Sequence, residues 1–255
     1  MISKKAQIGT NVKLGESVTI EDDVIIGNNV EIGSCVFIGN GARINDGVKI
    51  FHGACVSGIP QDLKFKGEVS IAEVGKNTVI REFATIHRGT AWSYKTVIGE
   101  NCLLMAYSHI AHDCVLGNNV IIANAGNLAG HIKIDDFAIL GGLSAIVQFN
   151  NVGKHVMIAG GVVIRKDIPP FILVSHPEDV RYSGINIVGL KRRGFSNERI
   201  KKIKDIYKII FESKYNVSDA LKKIKDEFEP DDDLKDIVSF IETSKKGIVK
   251  GIRGK

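Results

Sequence analysis

The sequence predicts a parallel β-helix followed by a small α-helical domain. The first observation is a six-residue repeat: of the 27 hexads that begin between positions 8 and 164, 24 start with Ile, Leu or Val. An α-helix repeats about every 3.6 residues and a strand every two, so a fixed longer period is typical of a solenoid. The second observation is that the aliphatic spacing becomes helical in the last quarter of the chain.

The hexads predict short strands joined by tight turns, three to a coil, with the leading aliphatic residues stacked in rows inside. Glycine often follows the leading residue, as in Ile8-Gly9 and Ile38-Gly39, and the fifth position is usually small or β-branched. The repeat ends near Ile168-Pro169-Pro170. We therefore expect an all-β domain over residues 1–185.

Two interruptions of the repeat predict loops, one near residues 58–73 and the other near 89–96. The first contains the segment IPQDLKFKGE, in which Pro60 and Gly67 are typical of a loop. Insertions in a solenoid project from one face, often the face that binds a ligand. The polar composition is equally typical of a solvated surface loop, and that alternative stays open.

Residues 186–255 carry the helical pattern. Ser196 is a suitable N-cap for a first helix and Ser218 for a second. The three aspartates at 231–233 put negative charge at the start of a third helix. These segments predict a small helical domain on or beside the end of the β-helix.

The positive charge is concentrated in this tail. The chain has a formal net charge of +5, and residues 186–255 hold 18 Lys and Arg against 12 Asp and Glu. Such a tail suits an acidic protein, phosphates, nucleic acid or a membrane surface. Because no nucleic-acid motif or aromatic interleaving accompanies it, we expect no nucleic-acid partner.

The cellular compartment of the protein is predicted from features that are missing from the sequence. No apolar run approaches the ~18 residues of a membrane span, so we expect no transmembrane segment. The N-terminus has no apolar stretch of the kind found in signal peptides, and the four cysteines form no C-x-x-C pair. We therefore expect a cytoplasmic protein with reduced thiols.

Candidate catalytic residues meet through the repeat. Residues 18 positions apart stack on successive coils, about 4.8 Å apart, so His112 lies over Gly130, Gly130 over Gln148, and Asp113 over His131. A histidine base beside an uncovered backbone N–H suits acyl transfer, because the base takes a proton from a hydroxyl and the amide stabilises the oxyanion. A ladder of polar side chains without catalysis is the alternative.

The segments IPQDLKFKGE, IHRGT, HIAHDC, LAGH and GINIVGLKRRGF resemble the UDP-N-acetylglucosamine O-acyltransferase family over almost the whole chain. The resemblance implies a left-handed β-helix, a homotrimer with active sites between neighbouring subunits, and the first committed step of lipid A biosynthesis. In that reaction a (R)-3-hydroxyacyl chain passes from the phosphopantetheine of acyl carrier protein to the glucosamine 3-hydroxyl of UDP-N-acetylglucosamine. It implies no metal and no further cofactor.

By the same resemblance His112 is the general base, Asp113 orients it, and Gly130 supplies the oxyanion amide. Gly160 falls where the family limits the acyl-chain length, and its small size predicts room for a longer chain. The resemblance also implies a set of side chains that contact the substrates: Gln61, Asp62, Lys64, His87, Arg88, His109, His131, Gln148, Asn186, Arg192 and Arg193.

Two positions depart from the family pattern. Val147 stands where many relatives have His, and Val188 stands where some have an acidic residue. The first predicts an altered donor pocket and the second an altered hold on the nucleotide. Some members of the family acylate a 3-amino sugar nucleotide, and the sequence leaves both acceptors open.

Two other function classes stay open. A zinc-dependent hydratase like the γ-class carbonic anhydrases shares the β-helix, and His109 and His112 suit an open zinc site. That class needs neither the QDLK loop nor a basic tail. The other class is a scaffold that binds the sugar nucleotide without turnover. The later N-acyltransferase of the pathway carries an N-terminal uridine-binding domain, for which hexads that start at Ile8 leave no room.

Overall fold

The computed structural model describes residues 1–251, which form 26 strands and four helices. The first thirteen strands are Gln7–Ile8 (β1), Lys13–Leu14 (β2), Thr19–Ile20 (β3), Val24–Ile26 (β4), Glu31–Ile32 (β5), Phe37–Ile38 (β6), Ala42–Ile44 (β7), Lys49–Ile50 (β8), Cys55–Gly58 (β9), Ile71–Val74 (β10), Val79–Ile80 (β11), Thr85–His87 (β12) and Lys95–Ile98 (β13). The other thirteen are Leu103–Leu104 (β14), His109–Ile110 (β15), Val115–Leu116 (β16), Ile121–Ile122 (β17), Asn127–Leu128 (β18), Lys133–Ile134 (β19), Ile139–Leu140 (β20), Ala145–Ile146 (β21), Asn151–Val152 (β22), Met157–Ile158 (β23), Val163–Ile164 (β24), Ile172–Ser175 (β25) and Arg181–Ile185 (β26).

Every third strand joins the same sheet, so the chain winds as a three-sided parallel β-helix. Sheet 1 runs from β1 through β4 to β22, sheet 2 from β2 through β5 to β26, and sheet 3 from β3 through β6 to β24. The regular coils are 18 residues apart, as the pairing of Asn127 with Ala145 shows. The three edges of the prism, named by their central turns, are corner A (111–114, 129–132, 147–150), corner B (117–120, 135–138, 153–156) and corner C (105–108, 123–126, 141–144, 159–162).

The leading residues of the hexads fill the inside of the prism. In sheet 3 the inward row includes Ile86, Ile110, Leu128 and Ile146, all at most 1% exposed. Each such side chain contributes roughly 1.5–3 kcal/mol by leaving water. Because each row is stacked coil on coil, the core fixes the register, and the register fixes which polar residues meet at the corners.

Both interruptions of the repeat are loops that leave the β-helix at corner A. Ala42 pairs with Ala72 and Ala72 with Thr96 across sheet 1, so these coils are longer than 18 residues by twelve and by six. The extra residues form loops between β9 and β10 and between β12 and β13. The two loops therefore project beside the turns that carry His112 and His131.

Four helices follow β26: Ile187–Arg192 (α1), Asn197–Phe211 (α2), Val217–Glu227 (α3) and Asp232–Thr243 (α4). Ser196 caps α2 as predicted, because its side chain accepts a hydrogen bond from the Arg199 N–H. The prediction of Ser218 as a cap is wrong. Asn216 caps α3 instead, by accepting from the Asp219 N–H, and α1 was not predicted at all.

The helices pack on the last coils through a shared apolar cluster. Tyr207 of α2 is fully buried and donates to the Pro170 carbonyl at 2.7 Å. After α4 the chain returns to the β-helix, where Ile248 bridges Asp167 and Lys250 bridges Arg181. None of the helices within residues 1–251 is both long and apolar enough to cross a membrane. The predicted division at 185/186 stays a prediction, and residues 252–255 of that predicted domain lie outside the described part.

Candidate active site

His112 and Asp113 form a hydrogen-bonded pair at corner A. The Nδ1 atom of His112 lies 2.8 Å from an Asp113 carboxylate oxygen. A carboxylate can only accept, so Nδ1 carries the proton and donates. The other ring nitrogen, Nε2, is then the unprotonated one. This tautomer leaves a basic lone pair available to a substrate hydroxyl.

Asp113 is held as an anion by the loop between β12 and β13. It accepts from the Thr90 hydroxyl at 2.6 Å and N–H at 3.1 Å, and from the Ser93 hydroxyl at 2.5 Å and N–H at 3.2 Å. Burial alone would raise the pKa of this carboxyl, but the hydrogen bonds from His112, Ser93 and Thr90 lower the pKa well below its usual range. The pair is therefore oriented and charged before any substrate arrives.

Gly130 lies directly against the His112 ring, as the 18-residue stacking predicts. A Cβ atom added to Gly130 would lie 2.5 Å from Cε1 and 2.8 Å from Nε2 of His112. Only glycine therefore leaves room for the imidazole in this orientation. Within residues 1–251 the Gly130 N–H donates no hydrogen bond, so it is free to bind an oxyanion beside the base.

Three more histidines surround the pair, and burial lowers the pKa of each. Burial, followed by the charges of His109 and His112, lowers the pKa of His87 to about 4. Burial also lowers the pKa of His109, which shares a 2.7 Å hydrogen bond with the Thr85 hydroxyl. Burial lowers the pKa of His131 in the same direction, although Asp113 opposes it. The lowered pKa values favour the uncharged form of these three imidazoles around the pair.

The loop residues predicted to reach the substrate lie on the same side. Asp62 and Lys64 are close enough to His131 to act on its pKa in opposite directions. Gln61 is exposed beside them. Arg88 is half-buried at the root of the next loop, where its guanidinium lies 5.6 Å from the Phe65 ring and so holds the two loops together.

An apolar groove lies on the sheet 3 side of the pair. It has a volume of about 430 Å³ and is lined by His109, the segments 127–129 and 145–147, and Gln148. Val147 is 36% exposed there, in a position where His would make the wall polar. The groove borders His109, on the same coil as His112, and its apolar lining suits an alkyl chain.

The predicted nucleotide contacts do not reach His112 within one chain. The Asn186 amide donates to the His155 carbonyl at 2.9 Å and Arg193 donates to the Phe137 carbonyl at 3.3 Å, both at corner B. Arg192 is exposed on α1, and Val188 is 62% exposed there. Gly160 lies at corner C. The structure thus brings the corner A residues together and leaves the predicted residues Asn186, Arg192, Arg193 and Gly160 away from them.

Several residues at the site were not predicted from the sequence. Thr90 and Ser93 hold Asp113, Thr85 holds His109, and the Lys246 ammonium donates to the Gln148 carbonyl from the C-terminal tail. Thr85 could have been found, because it precedes a leading aliphatic residue on the coil below His109. The others lie in segments without the repeat, where no stacking rule applies.

A metal-like cluster exists at the same point. Ligand atoms of His112, Asp113 and His131 lie within 4.8 Å of one another. The Asp113 oxygens are already taken by Thr90 and Ser93, and Nδ1 of His112 faces the carboxylate. A cation there would have to displace these bonds. The donor set therefore fits an acid–base pair better than a metal site.

The sequence matches two family models. The model for UDP-N-acetylglucosamine O-acyltransferase, domain 2, matches residues 167–249. The bacterial transferase hexapeptide model (six repeats) matches residues 5–40 and 95–125. Together they cover the helical tail with the last coils and much of the β-helix.

Named relatives agree with both models. Acyl-[acyl-carrier-protein]–UDP-N-acetylglucosamine O-acyltransferases of Burkholderia orbicola and Alkalilimnicola ehrlichii are 38% identical over 204 residues and 40% identical over 198 residues. These alignments cover 78% of each chain in the first case, and 77% of this chain and 76% of the relative in the second.

Solved structures extend the likeness to the full length. The UDP-N-acetylglucosamine acyltransferase LpxA of Bacteroides fragilis superimposes with a TM-score of 0.95 at 47% identity, covering 98% of this chain and 97% of that one. The UDP-N-acetylglucosamine acyltransferase of Campylobacter jejuni gives 0.93 at 38% identity, covering 99% and 98%.

A three-sided β-helix of hexads with a histidine–carboxylate pair over a free glycine amide defines an acyltransferase of the hexapeptide-repeat class. More narrowly, the chain belongs to the UDP-N-acetylglucosamine O-acyltransferase family. The predicted fold class, a left-handed parallel β-helix with a small C-terminal helical region, is confirmed, and so is the predicted enzyme class.

Proposed function

We propose that this protein transfers a (R)-3-hydroxyacyl chain from acyl carrier protein to the 3-hydroxyl of UDP-N-acetylglucosamine. The relatives named for this reaction support the substrates. The arrangement of His112, Asp113 and Gly130 supports the chemistry, because an oriented base packs directly against a glycine whose N–H donates no hydrogen bond within residues 1–251. We further propose that the reaction takes place in the cytoplasm and needs no metal or cofactor beyond the carrier's phosphopantetheine.

In the proposed mechanism, Nε2 of His112 takes the proton from the acceptor hydroxyl as its oxygen attacks the thioester carbonyl carbon. The imidazolium that forms is stabilised by Asp113 through Nδ1. The carbonyl oxygen becomes an oxyanion that the Gly130 N–H can bind. The tetrahedral intermediate then collapses with cleavage of the C–S bond, and the thiolate takes its proton from His112. The ester is the product and the base is restored.

The other corner A residues are proposed to hold the two substrates on opposite sides of this pair. Asp62, Lys64 and His131, with Gln61 beside them, have polar groups suited to the acceptor sugar. His109 and Gln148 border the apolar groove and suit the acyl donor. His87 supports His109 through an edge-on ring contact at 4.8 Å, and Arg88 fixes the loop that carries Asp62 and Lys64.

We propose a homotrimer, because one chain alone separates the two halves of this site. A side of the prism is about six residues long, on the order of 15–20 Å. Asn186, Arg192 and Arg193 lie at or near corner B, so they cannot reach a nucleotide whose sugar is at His112 in the same chain. A neighbouring copy could supply them. Guanidinium groups suit the diphosphate because they bind phosphate oxygens in a planar fork.

Surface composition supports one packing of the three copies. In the later coils the outward row of sheet 2 is apolar and half-buried, with Leu103, Ile121, Ile139 and Met157. Corner C carries Tyr107 and Leu143 at 63% and 77% exposure. If corner C lies at a three-fold axis, sheet 2 of one copy covers sheet 3 of the next, and corner B of the first then meets corner A of the second. The apolar groove becomes a tunnel between copies.

The basic tail is proposed to dock the carrier protein. Lys246 lies at Gln148, near the open end of the site, and Lys166 contacts the Lys246 carbonyl at 2.6 Å. Acyl carrier proteins are acidic, so a cationic surface beside the groove would attract them. The positive charge of residues 186–255 is consistent with this role.

Product formation measured by mass spectrometry tests the proposed function. The protein is mixed with UDP-N-acetylglucosamine and 3-hydroxyacyl carrier proteins of several lengths, with His112→Ala alongside. We expect a mass gain of one 3-hydroxyacyl group that falls at least about 10²-fold in rate in the variant. No product with any donor length would contradict the proposal. A product only with the 3-amino acceptor would change the acceptor and keep the mechanism.

A zinc-dependent hydratase is the alternative use of the cluster in which ligand atoms of His112, Asp113 and His131 lie within 4.8 Å of one another, and the family of the chain and the bonds already made by Asp113 argue against it. Stoichiometric zinc in the purified protein together with hydratase activity would favour it. Acyl transfer that survives treatment with a chelator would dismiss it. A non-catalytic scaffold would bind the sugar nucleotide and give no product.

A further inference from the structure

Trp92 lies over the edge of the active-site corner. Its ring centroid is 5.2 Å from that of His131 and 5.7 Å from that of Phe149, with interplanar angles near 65°. The His131 and Phe149 rings are stacked parallel at 4.3 Å. Trp92 lies in the loop that follows β12. Phe149 follows β21, which is three coils, or ~14 Å, further along the axis of the β-helix. The loop therefore folds back along corner A and does not point away from it.

The same hydrogen bonds that fix Asp113 also fix Trp92. Thr90 and Ser93, which flank the tryptophan, both donate to the Asp113 carboxylate. The Trp92 N–H in turn donates to the Thr90 hydroxyl at 3.3 Å. The position of the indole is thus tied to that of the base, although the indole itself is 72% exposed. An exposed aromatic ring fixed beside a catalytic pair is typical of a surface that binds a ligand.

The acyl donor is not the ligand expected at this ring. The apolar groove suited to the acyl chain lies on sheet 3, beside His109, Asn127 and Ala145. Trp92, His131 and Phe149 do not line that groove, and His131 lies near Asp62 and Lys64 of the other loop. The free side of His112 next to this aromatic face is therefore left for the acceptor.

We propose that Trp92, with His131 and Phe149 behind it, forms an aromatic face that holds the pyranose ring of the acceptor during transfer. This inference rests on the proposed function, and it adds a binding residue outside the predicted set. A pyranose ring has a C–H face that packs against an aromatic surface and a rim of hydroxyls that needs hydrogen bonds. Asp62 and Lys64, whose charges act on the pKa of His131, are near enough to hydrogen-bond with those hydroxyls.

The chain offers a direct probe, because Trp92 is its single tryptophan. Intrinsic fluorescence then reports on this side chain alone. UDP-N-acetylglucosamine is titrated into the intact protein, with UDP and N-acetylglucosamine 1-phosphate in parallel, and binding is followed independently by calorimetry. We expect a saturable change in emission with UDP-N-acetylglucosamine and little change with UDP alone.

Three results would overturn the proposal. Calorimetric binding of UDP-N-acetylglucosamine without any change in emission would remove Trp92 from the sugar site. An equal change with UDP alone would assign the indole to the base instead of the sugar. A change in emission on dilution of the protein, without a response to ligand, would put Trp92 in the contact between copies and would also contradict it.

Kinetics of variants give the second measurement. Trp92→Ala should raise the KM for UDP-N-acetylglucosamine about three- to tenfold, with the KM for the acyl donor unchanged, and Trp92→Phe should restore most of the loss. Tyr94→Ala is the matched control, since Tyr94 is an exposed ring of the same loop without a stacked partner among residues 1–251. Full turnover with an unchanged KM in Trp92→Ala would refute this inference alone. Absence of turnover in the parent protein would refute the proposed function.

Discussion

The imidazole of His112 occupies the space that a side chain at position 130 would need. A Cβ on Gly130 would lie 2.5 Å from Cε1 of the ring, closer than real Cβ contacts come. The Gly130 N–H, beside the ring, donates no hydrogen bond within residues 1–251. One glycine therefore does two things: it admits the base in its working orientation, and it exposes an amide beside that base.

Gly130→Ala should abolish most of the activity and leave the fold intact. Gly130 does not have the left-handed backbone that would strain an alanine, so the clash is with a movable side chain. We expect His112 to swing away from Asp113 and kcat to fall by roughly 10²-fold or more. Melting temperature and circular dichroism should match the parent. An active Gly130→Ala enzyme would contradict the proposed geometry.

Asp113→Asn should reduce kcat by about 10²- to 10⁴-fold with little change in either KM. The amide can still accept from His112, but it no longer carries the charge that stabilises the imidazolium, and its NH₂ group opposes the donors Thr90 and Ser93. Ser93→Ala should give a smaller loss in the same direction. Asp135→Asn, at corner B, is the control and should be neutral. A KM effect without a kcat effect would make Asp113 a binding residue instead of an orienting one.

The repeat explains why so much of the site was predictable. Once residues 18 apart are known to stack, His112 must meet Gly130 and Asp113 must lie near His131, and the structure agrees. The rule fails where the repeat is interrupted. Thr90, Ser93 and Trp92 lie in a loop whose path depends on long-range hydrogen bonds to Asp113. No local sequence pattern therefore predicts their positions. The start of α3 was missed for a smaller reason: Asn216 and Ser218 are both good caps, and only the fold selects between them.

Stability should fall between about pH 6.5 and pH 4 because of a buried histidine at corner B. Burial, followed by Arg193, Lys154 and Arg199, lowers the pKa of His155 in the folded chain to about 4, against about 6.5 when unfolded. Between these values the unfolded chain binds more protons, so stability rises with pH. The contribution is complete above pH ~6.5 and is lost on descent to pH ~4, at up to roughly 2–3 kcal/mol.

His155→Asn tests this, because Asn tolerates the positive φ of 58° found at position 155. The variant loses the ring stack with Phe137 and Phe171, so it should be less stable at every pH. The informative quantity is the difference in free energy of unfolding between about pH 7.5 and pH 5, which should shrink relative to the parent. Part of the slope should remain, since the pKa of His87 is also about 4. An unchanged slope would exclude His155 as its source.

Salt should weaken the donor interaction far more than the acceptor interaction. Carrier docking is proposed to depend on exposed charges such as Lys246, which are screened within about 8–10 Å at ordinary ionic strength. We expect the KM for the acyl carrier protein to rise severalfold between low and moderate salt, with a much smaller effect on the KM for the sugar nucleotide. Lys246→Gln should flatten this dependence, and Lys222→Gln on the exposed face of α3 is the control. Equal salt effects on both substrates would argue against electrostatic docking by the tail.

Gly160→Met should shorten the preferred acyl chain. In the proposed trimer, corner C and the outer row of sheet 2 of one copy close the groove beside His109 of the next, so a side chain at position 160 would project into its far end. A Cβ atom added to Gly160 would have only the Gly142 carbonyl oxygen within 3.4 Å, at 3.1 Å, so the space beyond that atom is open. Transfer rates for 3-hydroxyacyl donors of several lengths should shift towards shorter chains by tenfold or more per excluded step of a few methylenes, at about 0.8 kcal/mol for each buried CH₂. The KM for UDP-N-acetylglucosamine serves as the internal control and should not change, because corner C takes no part in holding the sugar. An unchanged length preference would remove Gly160 from the groove, and with it the packing of sheet 2 against sheet 3 on which this prediction depends.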